Sequence, residues 1–256
     1  MRVALLADIH GNSLALDAVL ADIAAQGVSE YWILGDIVAL GPDPVGVLER
    51  LSTLENCHFI RGNTDRYVVS ADRPGPFAAD IRGDGEMLRV FAEVAGTFAW
   101  TQGAITTAGW FDWLSQLPLE FDLSLPDGTQ ALGVHAAPGS DDGPGIDKDL
   151  SDEEIRGLLT GCSADLVCVG HTHQPIDRMV DGWHILNPGS ISNPRPPDLR
   201  ASYAILDAAS DGYRVQHRQV EYDRERVVSQ LQALKHPGAD FIIKHMRGLH
   251  KHQRFT

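Results

Sequence analysis

The sequence predicts an α/β fold in which a parallel or mixed β-sheet is flanked by helices. Short apolar runs alternate with amphipathic stretches of helical length. Asp-Gly pairs punctuate the second half as hairpin turns. Several apolar runs also end in Asp, His or Asn, as at the carboxyl edge of an open sheet, where ligand sites gather. The chain has 256 residues, 43% hydrophobic and 22% charged, enough for a sizeable core. We expect a single domain over 1–256.

Arg2 to Ala7 is uninterruptedly apolar after its first residue and reads as a buried strand. Ser13 to Gln26 places Leu16, Val19, Leu20 and Ile23 on one helical face, with Asn12 in position to cap it. Tyr31 to Leu34 is a second strand, and Pro44 opens a helix running to about Leu51. His58 to Ile60 is a third. From about Arg66 to about Pro118 the pattern turns helical, with Trp100, Trp110, Phe111 and Trp113 as apolar bulk, which we read as a helical insertion packed on the core. Strands return at Glu120 to Leu125 and Gln130 to His135, joined by an Asp127-Gly128 turn. They continue at Leu166 to Val169, Ile176 to Val180, Trp183 to Leu186, Tyr203 to Leu206 and Tyr213 to Val220, with Asp181-Gly182 as a further hairpin turn. Asp223 to about Lys235 is a surface helix. From about His236 the chain, with His245, His250 and His252, shows no clear period, which predicts a frayed or loosely docked tail and no extra metal site.

The net charge of −14 argues against tight binding along nucleic-acid backbones, which needs a basic surface. Cys57, Cys162 and Cys168 form neither a disulfide framework nor a C-x-x-C pair, and Cys168 reads as a buried, inert thiol. No stretch approaches the roughly 18 apolar residues of a membrane span, and the start lacks a cleavable-leader pattern, so we expect a cytoplasmic protein. Oligomeric state is not legible.

The chemistry lies in five clusters: Asp8-Ile9-His10, Gly35-Asp36, Gly62-Asn63-Thr64-Asp65, Val134-His135 and Gly170-His171-Thr172-His173. In an extended strand end, Asp8 and His10 would point the same way, as would His171 and His173. Carboxylate, imidazole and amide donors in this number suit two divalent ions, and without thiolate they fit Mn, Fe, Co, Ni or Zn. A two-metal site activates water and clamps a phosphoryl group, so the residues point to a metal-dependent phosphoesterase acting on a small phosphoester.

These motifs resemble the calcineurin-like metallophosphoesterases, whose signature is D-x-H, G-D, G-N-H-D/E, a lone His and G-H-x-H. The resemblance runs from Met1 to about Asp207 and is nearest to the small bacterial and archaeal phosphodiesterase branch, since Asn187-Pro188-Gly189-Ser190 follows G-H-T-H. It implies two mixed β-sheets packed as a sandwich with helices on both outer faces, a four-layer αββα arrangement. It further implies that Asp8, His10 and His173 hold one metal, that Asn63, His135 and His171 hold the other, and that Asp36 bridges them. A metal-bridging hydroxide would attack phosphorus in line. Asp36, Asn63 and Asp65 form the expected catalytic set, with Asp65 equally readable as orienting a ligand or capping a helix. Asn12, Asn63 and Arg195 are the expected substrate contacts, although an N-cap explains Asn12 fully. We read Arg61 and Arg66 as solvated surface residues, and the loop from Ala136 to Asp149 as mobile surface or a gate. One position departs from the family: Thr64 stands where its phosphatases usually carry a His, as proton donor to the leaving oxygen or as a transition-state contact. Thr is no acid near neutral pH, which puts esters with poor leaving groups in doubt. The alternatives are a phosphomonoesterase, a dinucleoside polyphosphate hydrolase or a non-catalytic scaffold of the same fold.

Overall fold

Along the first strand the side chains serve two apolar cores in turn. Val3 and Leu5 join Trp32, Leu34, Leu166, Leu186 and Leu206 in one layer, while Ala4 and Leu6 pack on Leu16, Val19 and Leu48 from helices. A strand buried on both faces needs an apolar residue at every position, hence the unbroken run.

The computed structural model describes residues 1–249 except 71, 78 and 80–84. The chain runs β1 (Arg2–Leu6), α1 (Ser13–Ala24), β2 (Glu30–Leu34), α2 (Pro44–Leu51), β3 (Cys57–Ile60), α3 (Asn63–Val69), α4 (Gly85–Thr107) and α5 (Phe111–Ser115). It continues through β4 (Glu120–Ser124), β5 (Gln130–Val134), α6 (Asp152–Leu158), β6 (Leu166–Cys168), β7 (Pro175–Val180), β8 (Trp183–Pro188), β9 (Ala201–Ala209) and β10 (Gly212–Val220) to α7 (Arg224–Leu234) and α8 (Ala239–Met246). One five-stranded sheet has the order β10-β9-β1-β2-β3, the other β4-β5-β6-β8-β7. β1, β2 and β3 are mutually parallel, as are β5, β6 and β8; β9 runs antiparallel to both β1 and β10, and β4 and β7 pair antiparallel at the edges of the second sheet.

The sheets face each other across the Val3–Leu5–Trp32 core. α1 to α5 cover the outer face of the first sheet through Leu16, Leu48, Val68, Phe98 and Leu114. Ile155 of α6 and the adjoining Leu159 cover the second with Val134, Val167 and Ile185. This is the four-layer αββα arrangement. Cys168 lies within the inter-sheet core, where burial pushes its thiol well up, so it is inert as expected.

Three elements differ from the sequence reading. The helical segment begins at Asn63, three residues early, because Gly62 is its N-cap and Asp65 closes the capping geometry. α6 was not foreseen, although Ser151 and Glu154 form a capping box on it. The tail is not loosely docked as far as residue 249: α8 buries Ile242 and Met246 against Val227, Val228 and Leu231 of α7. Two buried residues spaced i, i+4 on an eight-residue helix are too few to show a period. His250 and His252 lie outside the described residues. Among the described residues no helix is long and apolar enough to cross a membrane.

Because Ile242 is buried, Ile242→Ala should lower the stability of the chain by about 2–4 kcal/mol in urea unfolding. An unchanged midpoint would show that α8 is not held against α7 in solution.

Candidate metal centre

Asp8, Asp36 and Asn63 follow the carboxyl ends of β1, β2 and β3, and His135 and His171 follow those of β5 and β6. Parallel pairing brings the ends within each sheet to one edge. Strand alternation does not orient the side chains, as the D-x-H and H-x-H spacing suggested. Asp8, His10, Asp36, His171 and His173 all have left-handed backbone, with φ of 55°, 48°, 53°, 65° and 58°. Each such residue costs on the order of 1–3 kcal/mol unless its surroundings fix it. Here they do: Asp8 N donates to Gly35 O, His10 N to Asp36 O and Gly170 N to His135 O, at 3.2, 2.9 and 2.8 Å. The turns also interlock so closely that a Cβ on Gly62 would lie 2.1 Å from Asp36 Oδ1, and one on Gly35, itself at φ +83°, 2.6 Å from Gly62 N.

Backbone carbonyls set the tautomer of every ring in the set. His10, His135 and His173 each donate from Nδ1, to Ala39 O, Leu34 O and Asn193 O at 3.1, 2.7 and 2.8 Å. His171 donates from Nε2 to Gly143 O at 2.8 Å. A carbonyl only accepts, so in the neutral rings lone pairs remain on Nε2 of His10, His135 and His173 and on Nδ1 of His171. Those nitrogens converge. His10 Nε2 and His173 Nε2 lie 3.2 Å apart with no proton to share, and His171 Nδ1 lies 3.2 Å from Asn63 Oδ1. Asp36 reaches both groups, Oδ2 being 3.7 Å from His10 Nε2 and Oδ1 3.4 Å from His135 Nε2. Asp8 Oδ2 and His135 Nε2 are buried without an aligned hydrogen bond. Ligand atoms of Asp8, His10, Asp36 and His173 all fall within 4.8 Å of one another. Opposed lone pairs and orphaned buried acceptors repel one another unless a cation lies between them, so the donor set fits divalent metal.

Without metal, the protonation states resist one another. Burial drives the Asp8 carboxyl well above its ordinary value. Burial also opposes ionisation of Asp36, but His135 and His10 outweigh it and hold that carboxyl well below the usual range. Burial disfavours charge on His135 too, yet Asp36 and then Asp8 raise it to about 10. His10, His171 and His173 are lowered, in each case chiefly by burial. A proton on His135 thus does part of the work of a cation.

The family model of the calcineurin-like phosphoesterase superfamily domain matches residues 1–211. The chain belongs to this superfamily. It is 28% identical over 244 residues to an uncharacterised protein of Methanocaldococcus jannaschii, covering 90% of this chain and 91% of that one. A hypothetical protein from Pyrococcus horikoshii is similar in structure with a TM-score of 0.81 at 26% identity, covering 98% of this chain and 99% of that one. A metallophosphoesterase from Sphaerobacter thermophilus superposes with a TM-score of 0.71, also at 26% identity and with the same coverage.

Within this superfamily member, the seven expected ligands Asp8, His10, Asp36, Asn63, His135, His171 and His173 come together from the carboxyl edges of both sheets. Other expected residues have different duties. Asp65 touches backbone alone: Oδ1 accepts from Ile37 N and Val38 N at 2.9 and 3.2 Å, Oδ2 from Gly62 N at 3.0 Å. It braces the Asp36 turn against the start of α3, a positioning role in place of the catalytic one expected. Asn12 serves as N-cap, accepting from Ala15 N at 3.1 Å and donating to Ser192 Oγ at 3.2 Å, which accounts for its position without a substrate. Arg61 and Arg66 are partly exposed but not free surface residues, since both grip the buried Asp141, at 2.8 and 3.0 Å. Arg66 also holds Asp142 at 2.7 Å, and Tyr67 OH donates to the same carboxylate. The 136–149 loop is therefore clamped to α3, and Gly143 from that loop orients His171. Arg195 pairs with Asp147 of the same loop at 3.1 Å, while its Nε is buried without a partner.

Sequence reasoning gave no role to Asn187 or Ser190. Asn187 Nδ2 donates to Gly170 O at 2.7 Å and to Thr172 Oγ1 at 3.2 Å, and Ser190 Oγ donates to Asp8 O at 3.0 Å. They hold the two ligand turns together. The N-P-G-S string itself was the available signal.

Two outcomes follow from this geometry. Asp141→Asn should loosen the loop that orients His171 and weaken metal binding by about 10–100-fold in a chelator competition. In chelated protein, the raised pKa of His135 gives stability that is complete below about 6.5 and is lost as pH rises through about 10. The lowered histidines give stability present above about 6.5 and lost on acidification. Tm without metal should thus fall on both sides of neutrality, and added metal should abolish the alkaline fall by replacing the proton. A flat alkaline limb in chelated protein would show that His135 is uncharged there.

Proposed function

We propose that the chain is a metal-dependent phosphodiesterase acting on a small phosphoester through a dinuclear centre. The observation that supports this best is Asp36, whose two oxygens face His10 on one side and His135 on the other. A carboxylate so shared suits a bridge between two ions. Asp8, His10 and His173 would hold one ion and Asn63, His135 and His171 the other. When bound, such a pair supplies a water of lowered pKa and positive charge for the phosphoryl oxygens.

The chain's own residues supply the rest. Carbonyl-bound rings and the left-handed turns hold the donors rigid before metal arrives, so little is lost in ordering them. Asn63, at the first position of α3, carries both a donor to substrate oxygen and a ligand oxygen, which suits its double expectation as ligand and substrate contact. Arg195 presents its remaining guanidinium nitrogens beside the loop that orients His171, a placement suited to clamping phosphate. A diester is favoured over a monoester because the overall charge of −14 repels a dianion more than a monoanion.

Protein purified from manganese-supplemented medium should contain close to two ions per chain and hydrolyse bis-aryl phosphate. Asp36→Asn should abolish turnover with circular dichroism unchanged, since it removes charge from both sites at once. Bound metal with no turnover on any diester or monoester would favour the scaffold reading, and an active Asp36→Asn protein would displace Asp36 as the bridge.

A further inference from the structure

The four histidines of the site are oriented by two kinds of support. His10, His135 and His173 donate to carbonyls of segments that backbone hydrogen bonds fix. Leu34 ends β2, Ala39 lies two residues past Ile37, whose carbonyl accepts from Gly11 N at 2.9 Å, and Asn193 follows Ser192, whose N donates to Asp8 O at 3.1 Å. His171 differs. Its Nε2 donates to Gly143 O at 2.8 Å, and Gly143, at φ +94°, is itself held by a side chain, its N donating to Asp142 Oδ1 at 2.8 Å. The other oxygen of that carboxylate, Oδ2, accepts from Arg66 Nη2 at 2.7 Å and from the Tyr67 hydroxyl. Tyr67 is buried and its ring packs edge-on against Phe98 at 5.5 Å, so the hydroxyl is fixed in place.

Both donors belong to α3, whose first residue is Asn63, and Tyr67 lies on the same helical face four residues on. Asn63 Oδ1 in turn faces His171 Nδ1 at 3.2 Å. The path closes on itself, from Asn63 through α3, Asp142 and Gly143 to His171 and back. Asp141 anchors the loop as a whole, whereas Asp142 passes that anchorage to the carbonyl that aims the ring. Resting on the dinuclear reading, we infer that Asp142 is a positioning residue for one ion alone. It sets His171 against Asn63, and so governs the affinity of the ion those two would hold with His135. The ion of Asp8, His10 and His173 depends instead on the backbone-fixed turns. Coupling between sites is reciprocal, so binding of the first of these ions also holds the 136–149 loop against α3. Opening of the loop and loss of that ion favour each other.

The test uses the full-length chain, stripped by chelator and titrated with manganese, with calorimetry for affinity and electron paramagnetic resonance for the spectrum. Wild-type protein should take up two ions, the second converting the signal of isolated manganese into that of an exchange-coupled pair. In Asp142→Ala, one ion should keep its affinity within about threefold while the other weakens by roughly 10–100-fold, leaving the isolated signal in place. Asp142→Asn still offers an oxygen to Gly143 N and should recover part of the loss. Tyr67→Phe keeps the ring on Phe98 and should weaken the same ion by roughly threefold or more. In stripped protein, the ring nitrogen signals of His171 should move in Asp142→Ala while those of His10 and His173 stay. Equal weakening of both ions, no weakening of either, or no recovery in Asp142→Asn would each overturn the assignment. Should Asp142→Ala fail to fold, Tyr67→Phe decides, and unaltered binding there overturns it. A wild-type chain that takes up a single ion would sink the dinuclear reading instead, and unmoved His171 signals would count against Asp142 whatever the number of ions.

Discussion

Donor atoms that repel one another are held together where the carboxyl edges of two sheets meet, and much of this architecture serves to hold them there. Imidazole nitrogens 3.2 Å apart, each with its ring proton turned away to a carbonyl, have no favourable arrangement without positive charge between them. Left-handed turns aim these side chains, and the turns persist because neighbouring turns from other strands bond to them. Two sheets are needed because β1 to β3 supply Asp8, Asp36 and Asn63, whereas β5 and β6 supply His135 and His171. The inter-sheet core of Val3, Leu5, Trp32 and Leu186 is thus also what fixes the distance between the two halves of the site.

Around that set the chain builds successive layers of support. Asp65 ties two ligand turns through backbone amides, Asn187 and Ser190 tie two more, and Arg66 with Asp141 anchors the loop that orients His171. Interior positions such as these are intolerant for reasons unconnected with stability alone. A methyl group on Gly62 would collide with Asp36, so the glycine is fixed by the ligand beside it.

The layering of the fold was legible in the sequence because buried strands and amphipathic helices announce themselves by period. The clustering of the expected ligands was legible because polar residues repeatedly close apolar runs, as Asp8, Asp36 and His135 do. What was not legible depended on long-range partners. Whether Arg61 and Arg66 face solvent turns on Asp141, some 75 and more positions away, and no local pattern records that pairing. Asp65 could be read two ways, and its backbone contacts to Ile37 and Val38 decide between them. The H-x-H spacing suggested the right neighbours by the wrong geometry, since extended alternation and a pair of left-handed turns can converge on one point. α8 escaped notice because its helix is short and its period is carried by a single pair of buried residues.

The paired arginines have a consequence for how ligands arrive. Arg61, Arg66 and Arg195 are each bound to a carboxylate of the same loop, so the rim of the site offers little uncompensated positive charge. The molecule as a whole carries a net −14. Among the described residues, these arginines form no basic funnel of the kind that raises encounter rates by long-range attraction. Collision would be governed by diffusion against a mild repulsive field that grows with the charge of the incoming molecule. Any discrimination between singly and doubly charged anions would then begin in the bulk solution, before contact is made, and raising the ionic strength would erode it.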